Sequence, residues 1–267
     1  MTIFYFTATG NSLYVSKKIG DNLISIPQFI KSNETAYQDD VIGVVYPCYA
    51  GGIPRIVKRF LDKVKLSANY KFTIMTYGNE STNALDQMDK YALSKGIEFD
   101  YMNRILMANN YLPMFKVEDQ LEKIPQKGIE KAIGSIVKDV NDRKQYKPKV
   151  GFADKFWGAI FRSGAEKMTG GNADMRFSTN GSCKSCDTCV SVCSVNNICI
   201  ESNSPVFKHQ CEGCLACIHH CPNGAIHMKG EKSATRFCNE HIGIDEIITS
   251  NVSAILPQMQ TGNGGEC

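Results

Sequence analysis

Eight of the twelve cysteines in this 267-residue chain fall into two runs of identical spacing. Cys183-x2-Cys186-x2-Cys189-x3-Cys193 recurs as Cys211-x2-Cys214-x2-Cys217-x3-Cys221, each cysteine 28 positions after its counterpart. Three thiolates on one short loop wrap three corners of an iron–sulfur cube, and the fourth cysteine of each run completes the neighbouring cube. The spacing therefore assigns Cys183, Cys186, Cys189 and Cys221 to one [4Fe-4S] cluster. Cys211, Cys214, Cys217 and Cys193 go to a second. Zinc motifs pair two cysteines and place a second pair well downstream. Disulfides are rare in a reducing compartment. Neither suits three cysteines at successive x2 spacing, twice over. Cys48, Cys199, Cys238 and Cys267 lie outside the runs, and Cys199 is expected in the core of a strand around Ile198 and Ile200.

A second chemical signal is Phe6-Thr7-Ala8-Thr9-Gly10-Asn11-Ser12, between a strand-like and a helix-like segment. A helix start offers free N–H groups and the positive end of a dipole, which suits a phosphate dianion. Gly10 lets the backbone approach closely, and Thr7, Thr9 and Ser12 add hydroxyls. The loop has no lysine after a glycine, unlike a nucleoside-triphosphate loop, and lacks the three glycines of a dinucleotide fingerprint. A terminal monophosphate fits it better. The competing reading is plain N-capping by Thr9 or Asn11.

These residues need a scaffold. Ile3 to Phe6 reads as a buried first strand and Asn11 to Leu23 as a helix. Strands follow at Val41 to Tyr46, at Phe72 to Thr76 and around Arg104 to Met107. Helices are expected from Pro54 to about Val64, from about Asn83 to Leu93, and over 118–143. This alternation predicts an α/β domain with a doubly wound parallel sheet covered on both faces. In such sheets ligands bind beyond the carboxyl ends of the strands. The loops Pro47-Cys48-Tyr49-Ala50-Gly51-Gly52 and Tyr77-Gly78-Asn79 then share an edge with the phosphate loop. Tyr111, in the loop after the last strand, is expected to cover a ligand or a domain interface.

The cysteine-dense segment resembles bacterial two-cluster ferredoxins over about 50 residues. It departs from them at Ser194, where proline commonly follows the fourth cysteine. Residues 1–145 resemble flavodoxins, chiefly through the phosphate loop. That resemblance implies an FMN whose phosphate is held by Thr7, Thr9, Gly10, Asn11 and Ser12. Its ring would be bordered by Pro47, Tyr49, Ala50, Gly51, Gly52, Tyr77, Gly78 and Asn79. The whole chain is similar to a flavodoxin-like/ferredoxin-like fusion type of anaerobes. The domains expected are 1–145 for FMN, a connector helix over 146–176 with an apolar face of Phe152, Phe156, Trp157, Ile160 and Phe161, a small α+β two-cluster domain over 177–235, and a C-terminal helix and tail over 236–267. His219 and His220 are expected to be exposed.

Composition narrows the function. The hydrophobic fraction of 43% and charged fraction of 21% are those of an ordinary globular chain. The length suggests about two domains of roughly 150 residues. A formal charge of +3 is too small to argue for nucleic-acid binding. With two clusters and a flavin phosphate, each near −2, the loaded protein is about −3. No run of about 18 apolar residues predicts a membrane span, and no export signal is apparent, so a cytoplasmic setting is expected. The fusion implies electron transfer between FMN, two [4Fe-4S] clusters and partner redox proteins. The alternative is an FMN-dependent reductase of a small molecule (a quinone, nitro compound or flavin) fed by the clusters.

Overall fold

The structure is a computed structural model, and it describes residues 1–79, 83–149, 151 and 170–252. Five parallel strands form the central sheet: β1 (Thr2–Tyr5), β2 (Asn22–Ser25), β4 (Val41–Pro47), β6 (Tyr70–Tyr77) and β7 (Tyr101–Leu106). Their spatial order is β2-β1-β4-β6-β7. The short β3 (Ala36–Gln38) and β5 (Lys65–Ser67) pair with each other in a separate parallel ribbon. With that ribbon set aside, the order is the flavodoxin-like 2-1-3-4-5, whose switch point lies between β1 and β4. Strands β1 and β4 are almost wholly apolar and buried, as strands covered on both faces must be.

Two cores form on the two faces. One gathers Ile3, Tyr5, Val45 and Phe72 with α1 (Asn11–Ile19) and α6 (Ile129–Asn141). The other gathers Phe4, Val44 and Met75 with α2 (Ile26–Lys31), α3 (Arg55–Lys63) and α4 (Ala84–Ser94). Helix α3 puts Ile56, Val57, Phe60 and Leu61 on one buried stripe behind Pro54.

Two expected elements differ. The helix expected to reach Leu23 stops at Ile19, Gly20 follows, and Leu23 belongs to β2, paired with Ile3. The single helix expected over 118–143 is divided. It comprises α5 (Val117–Glu122), a 3-10 turn over Ile124–Lys127 and then α6, with Gly128 left-handed at φ +59° between them. Pro125 opens the turn and Gly128 ends it.

The cysteine segment repeats in its backbone as it does in sequence. Helix α7 (Thr188–Ser191) and helix α8 (Ala216–His219) lie 28 positions apart. The left-handed residues Ser185, Asp187, Asn196 and Ser202 have counterparts at Gly213, Leu215, Gly224 and Gly230. Two antiparallel ribbons complete the unit: β9 (Ile198–Glu201) with β10 (Ser204–Phe207), and β8 (Phe177–Thr179) with β11 (Ile226–Met228). Strand β9 includes Cys199, as expected, but its side chain is half-buried and not in the core.

The C-terminal helix expected within 236–267 forms as α9 (Ile244–Asn251). It returns to the first sheet, where Ile247 joins the core and Ser250 Oγ lies 2.7 Å from Tyr5 Oη. The expected connector face, Phe152 to Phe161, and the C-terminal tail lie outside the described residues.

Candidate functional site

The chain turns from β1 into α1 through the loop Phe6–Gly10. Gly10 sits at φ +99°, and no side chain caps the helix. Among the described residues no acceptor meets the amides of Thr9, Asn11 and Ser12. Simple capping by Thr9 or Asn11 is therefore not what the loop does. The hydroxyls are oriented by neighbours. Thr7 Oγ1 accepts from Gly10 N–H at 3.1 Å, Asn110 Nδ2 donates to Thr9 Oγ1 at 2.6 Å, and Ser12 Oγ lies 2.9 Å from Thr76 Oγ1.

This loop forms one end of a cavity of about 260 Å³ at the carboxyl edge of the sheet. Thr7, Thr9, Asn11, Ser12, Pro47, Tyr49, Ala50, Gly51, Tyr77, Gly78 and Asn79 all line it. Two residues expected there do not. Gly10 turns its α-carbon toward Asn239 and Ile242, where a Cβ would approach Asn239 Cβ to 2.8 Å. Gly52 closes a tight turn, exchanging backbone hydrogen bonds with Tyr49 at 2.9 and 3.1 Å. The residues between them, Ala50 at φ +48° and Gly51 at φ +72°, fit a type I′ turn. Ala50 thus holds a left-handed conformation costing ~1–2 kcal/mol on the cavity wall.

Gly78 brings two walls together. A Cβ there would lie 2.5 Å from Asn109 Cβ and 2.6 Å from its Cα. The loops after β6 and β7 touch only because that atom is missing. Gly78→Ala should therefore cost ~1–3 kcal/mol through overpacking. A urea midpoint equal to the parent's would show that the loops separate freely.

The far wall comes from the cysteine repeat. Gly213, Cys214 and Leu215 line the same cavity, as does Tyr111, whose hydroxyl accepts from Arg176 Nη1 at 3.0 Å. Sequence reasoning did not place the 213–215 loop here, because nothing local marks which surface a cluster loop faces. His219 and His220 are buried, at 3% and 8% exposure, not exposed as expected. His219 Nε2 donates to the Asn110 carbonyl at 2.8 Å, and its Nδ1 accepts from Phe237 N–H at 3.1 Å. His220 Nε2 donates to the Ala8 carbonyl of the phosphate loop at 2.9 Å, and its Nδ1 faces Cys238 Sγ at 3.4 Å. Burial lowers both pKa values, that of His219 to about 4, so both rings are neutral fasteners at pH 7.

The cysteines assemble across the repeat. Cys183, Cys186, Cys189 and Cys221 line one small cavity. Burial, then the thiolates of Cys221, Cys183 and Cys186, push the Cys189 pKa up to about 11. Cys217 is driven upward by burial and then by Cys214, Cys211 and Cys193. Backbone N–H groups point at the fourth cysteine of each run: Asn197 N–H to Cys193 Sγ and Ala225 N–H to Cys221 Sγ, both at 3.2 Å. Among the described residues no three His, Cys, Asp or Glu side chains converge on a single-ion site. Cys48 lines the same cavity as the loop Thr7–Thr9, and burial raises its pKa to about 12, far from a reactive thiolate. Cys238 is likewise raised by burial, to about 11.

Comparison by sequence finds no matching family model and no matching curated protein. Among solved structures, the chain is similar to a protein from Bacteroides uniformis designated a flavoprotein, at 16% identity and a TM-score of 0.33, covering 40% of this chain and 91% of that one. The Trp repressor binding protein from Bacillus subtilis matches at 14% identity and a TM-score of 0.33, covering 55% of this chain and 98% of that one. Rubredoxin oxygen:oxidoreductase from the anaerobe Desulfovibrio gigas matches at 12% identity and a TM-score of 0.27, covering 50% and 36%.

Proposed function

We propose that the chain is an electron-transfer flavo-iron–sulfur protein, with FMN in the sheet-edge cavity and two [4Fe-4S] clusters on a ferredoxin-like cysteine repeat. The observation that carries this reading is a shared wall. Cys214, assigned to the second cluster, borders the same cavity as Thr7, Thr9, Asn11, Ser12 and Tyr49–Gly51. When bound, FMN exchanges one or two electrons and each cluster one, so together they interconvert single electrons and pairs.

The chain's own residues fit these groups. The uncapped helix start and the ordered hydroxyls of Thr7, Thr9 and Ser12 suit a phosphate. Tyr49, Met114 and Phe115 give the cavity an apolar body, as a ring requires. Burial first, and then the neighbouring thiols of the same four, raise the pKa values of Cys189 and Cys217, a cost that ligated iron would relieve. A cube spreads its ligands over four irons, so the thiols need not converge on one point. His219 and His220 hold the second run against the phosphate loop and the Asn110 loop. The partners that follow are redox proteins in the cytoplasm.

A second cavity favours a second reading, reduction of a small molecule. It holds about 360 Å³ and shares Gly78, Asn79, Met114 and Phe115 with the first.

Anaerobic purification with iron, sulfide and flavin quantified tests the assignment directly. Thr9→Asp adds a carboxylate where the phosphate is assigned and should weaken FMN by at least about tenfold, ~1.4 kcal/mol. Parental affinity in a flavin titration would detach this loop from the phosphate.

A further inference from the structure

The cavity of about 360 Å³ beside the flavin-sized one is strongly and asymmetrically charged. Lys116, Lys123, Lys127 and Lys232 line it, against a single carboxylate, Asp119. Among the described residues none of these four lysines forms an ion pair with an acid. Three come from the single stretch 116–127 and Lys232 from a distant one, which the fold brings to one opening. Lys127 is fixed in place: its Nζ donates to the Met107 carbonyl at 2.7 Å and toward the Gly78 carbonyl at 3.4 Å. Lys232 Nζ reaches the Met114 carbonyl at 3.2 Å. Burial, and then the charge of Lys123, lower the Lys127 pKa, as expected for a cation with no counter-charge.

Four like charges with only Asp119 lining the same cavity repel one another, a repulsion that a bound anion relieves. The apolar part of its lining is Leu106, Met114 and Phe115. At about 30 Å³ per water, the volume corresponds to roughly a dozen waters, the room a small organic molecule needs.

We propose that this cavity binds a small organic anion, with an apolar body against Leu106, Met114 and Phe115 and a phosphate or carboxylate head among the lysines. The ligand's purpose, as a redox substrate entering beside the flavin, rests on the second reading above, but its binding does not. Met114 and Phe115 belong to both cavities, so a molecule seated here abuts the flavin-sized cavity.

The test uses the holoprotein under anaerobic conditions, titrated calorimetrically with phenyl phosphate and, separately, with phthalate. Saturable one-to-one binding by either is expected, and preference between them tells a phosphate from a carboxylate head. Lys116→Gln with Lys123→Gln should weaken it at least about tenfold, while iron content, flavin content and the visible spectrum stay parental. Lys65→Gln with Lys131→Gln removes the same net charge outside the cavity and should change affinity less than about twofold. Equal weakening by both pairs, or no binding at 10 mM, about ten-thousandfold above micromolar affinity, overturns the site. If no flavin copurifies, the same titrations still decide, and Thr9→Asp separates the sites. Binding lost in that variant and kept in the lysine pair would assign the anion to the phosphate loop instead.

Discussion

Cys186→Ala combined with Cys221→Ala is expected to leave about half the iron, ~four of eight atoms, whereas Cys186→Ala with Cys193→Ala leaves almost none. The contrast follows from crossed ligation. Cys186 and Cys221 border the same cavity although 35 residues of sequence separate them. Cys193 instead stands with Cys211, Cys214 and Cys217, whose charges it shares. Single variants would discriminate poorly, because under either ligation scheme one lost cysteine costs one cluster. Were each run to hold its own cluster, the outcomes would exchange places, and iron and sulfide assays alone would reveal it. Because each cluster joins both runs, either double variant should also lose thermal stability, the second one more.

The cysteine repeat was legible because cluster chemistry fixes both residue type and spacing, and the 28-residue period carries through to the backbone. The phosphate loop was legible for a similar reason: Gly10 and the hydroxyls mark a strand-to-helix turn. Strand β2 was not, because Asn22-Leu-Ile-Ser25 is a short edge strand joined closely to α1, and Leu23 continues the helical spacing. Pro125 and Gly128 did signal the break before α6, but the apolar period on both sides masked it. Burial of His219 and His220 depends on carbonyls 109 and 212 residues away, which no local pattern encodes. The lysine cavity is hidden in the same way. Residues 116–127 and Lys232 meet only once Lys232 N–H bonds the Leu112 carbonyl and Ser233 bonds Glu118.

These long-range ties bring the cysteine repeat and the strand-to-helix loop to one cavity. The cavity wall at Gly213–Leu215 follows directly after Glu212, and Glu212 is where the cysteine repeat grips α3. Its carboxylate is 2% exposed. Oε2 accepts from Ile56 N–H at 3.1 Å, Oε1 from Arg59 Nη2 at 2.7 Å, and Arg55 Nη2 stands at 3.7 Å. The position of residues 213–215 therefore depends on this buried charge together with the His219 and His220 fasteners.

The two ends of this grip should respond unequally to substitution. Arg55→Ala with Arg59→Ala leaves a buried carboxylate with one backbone donor, and should destabilise by ~3 kcal/mol. Glu212→Gln keeps an acceptor for Ile56 N–H and frees two half-exposed arginines to hydrate, so its cost should be only ~1 kcal/mol. The pH dependence gives the mechanism. Burial raises the Glu212 pKa above its ordinary 4.5, and Arg59 and Arg55 oppose the rise. Without the arginines the folded-state pKa rises further. A carboxyl whose folded pKa is raised favours folding below its unfolded pKa, and that contribution is lost as pH rises through the folded value. The arginine variant should thus approach parental stability near pH 4.5 and fall away from it towards neutrality, while the Glu212→Gln deficit stays comparatively flat. Urea midpoints of the anaerobic holoproteins between pH 5 and 8, set against the same series for the parent, measure both trends. Equal deficits with parallel pH profiles would mean that the carboxylate is hydrated in solution and the grip lies elsewhere. If the grip is Glu212, flavin release from the arginine variant should quicken over the same pH range, because the wall carrying Cys214 loosens with it.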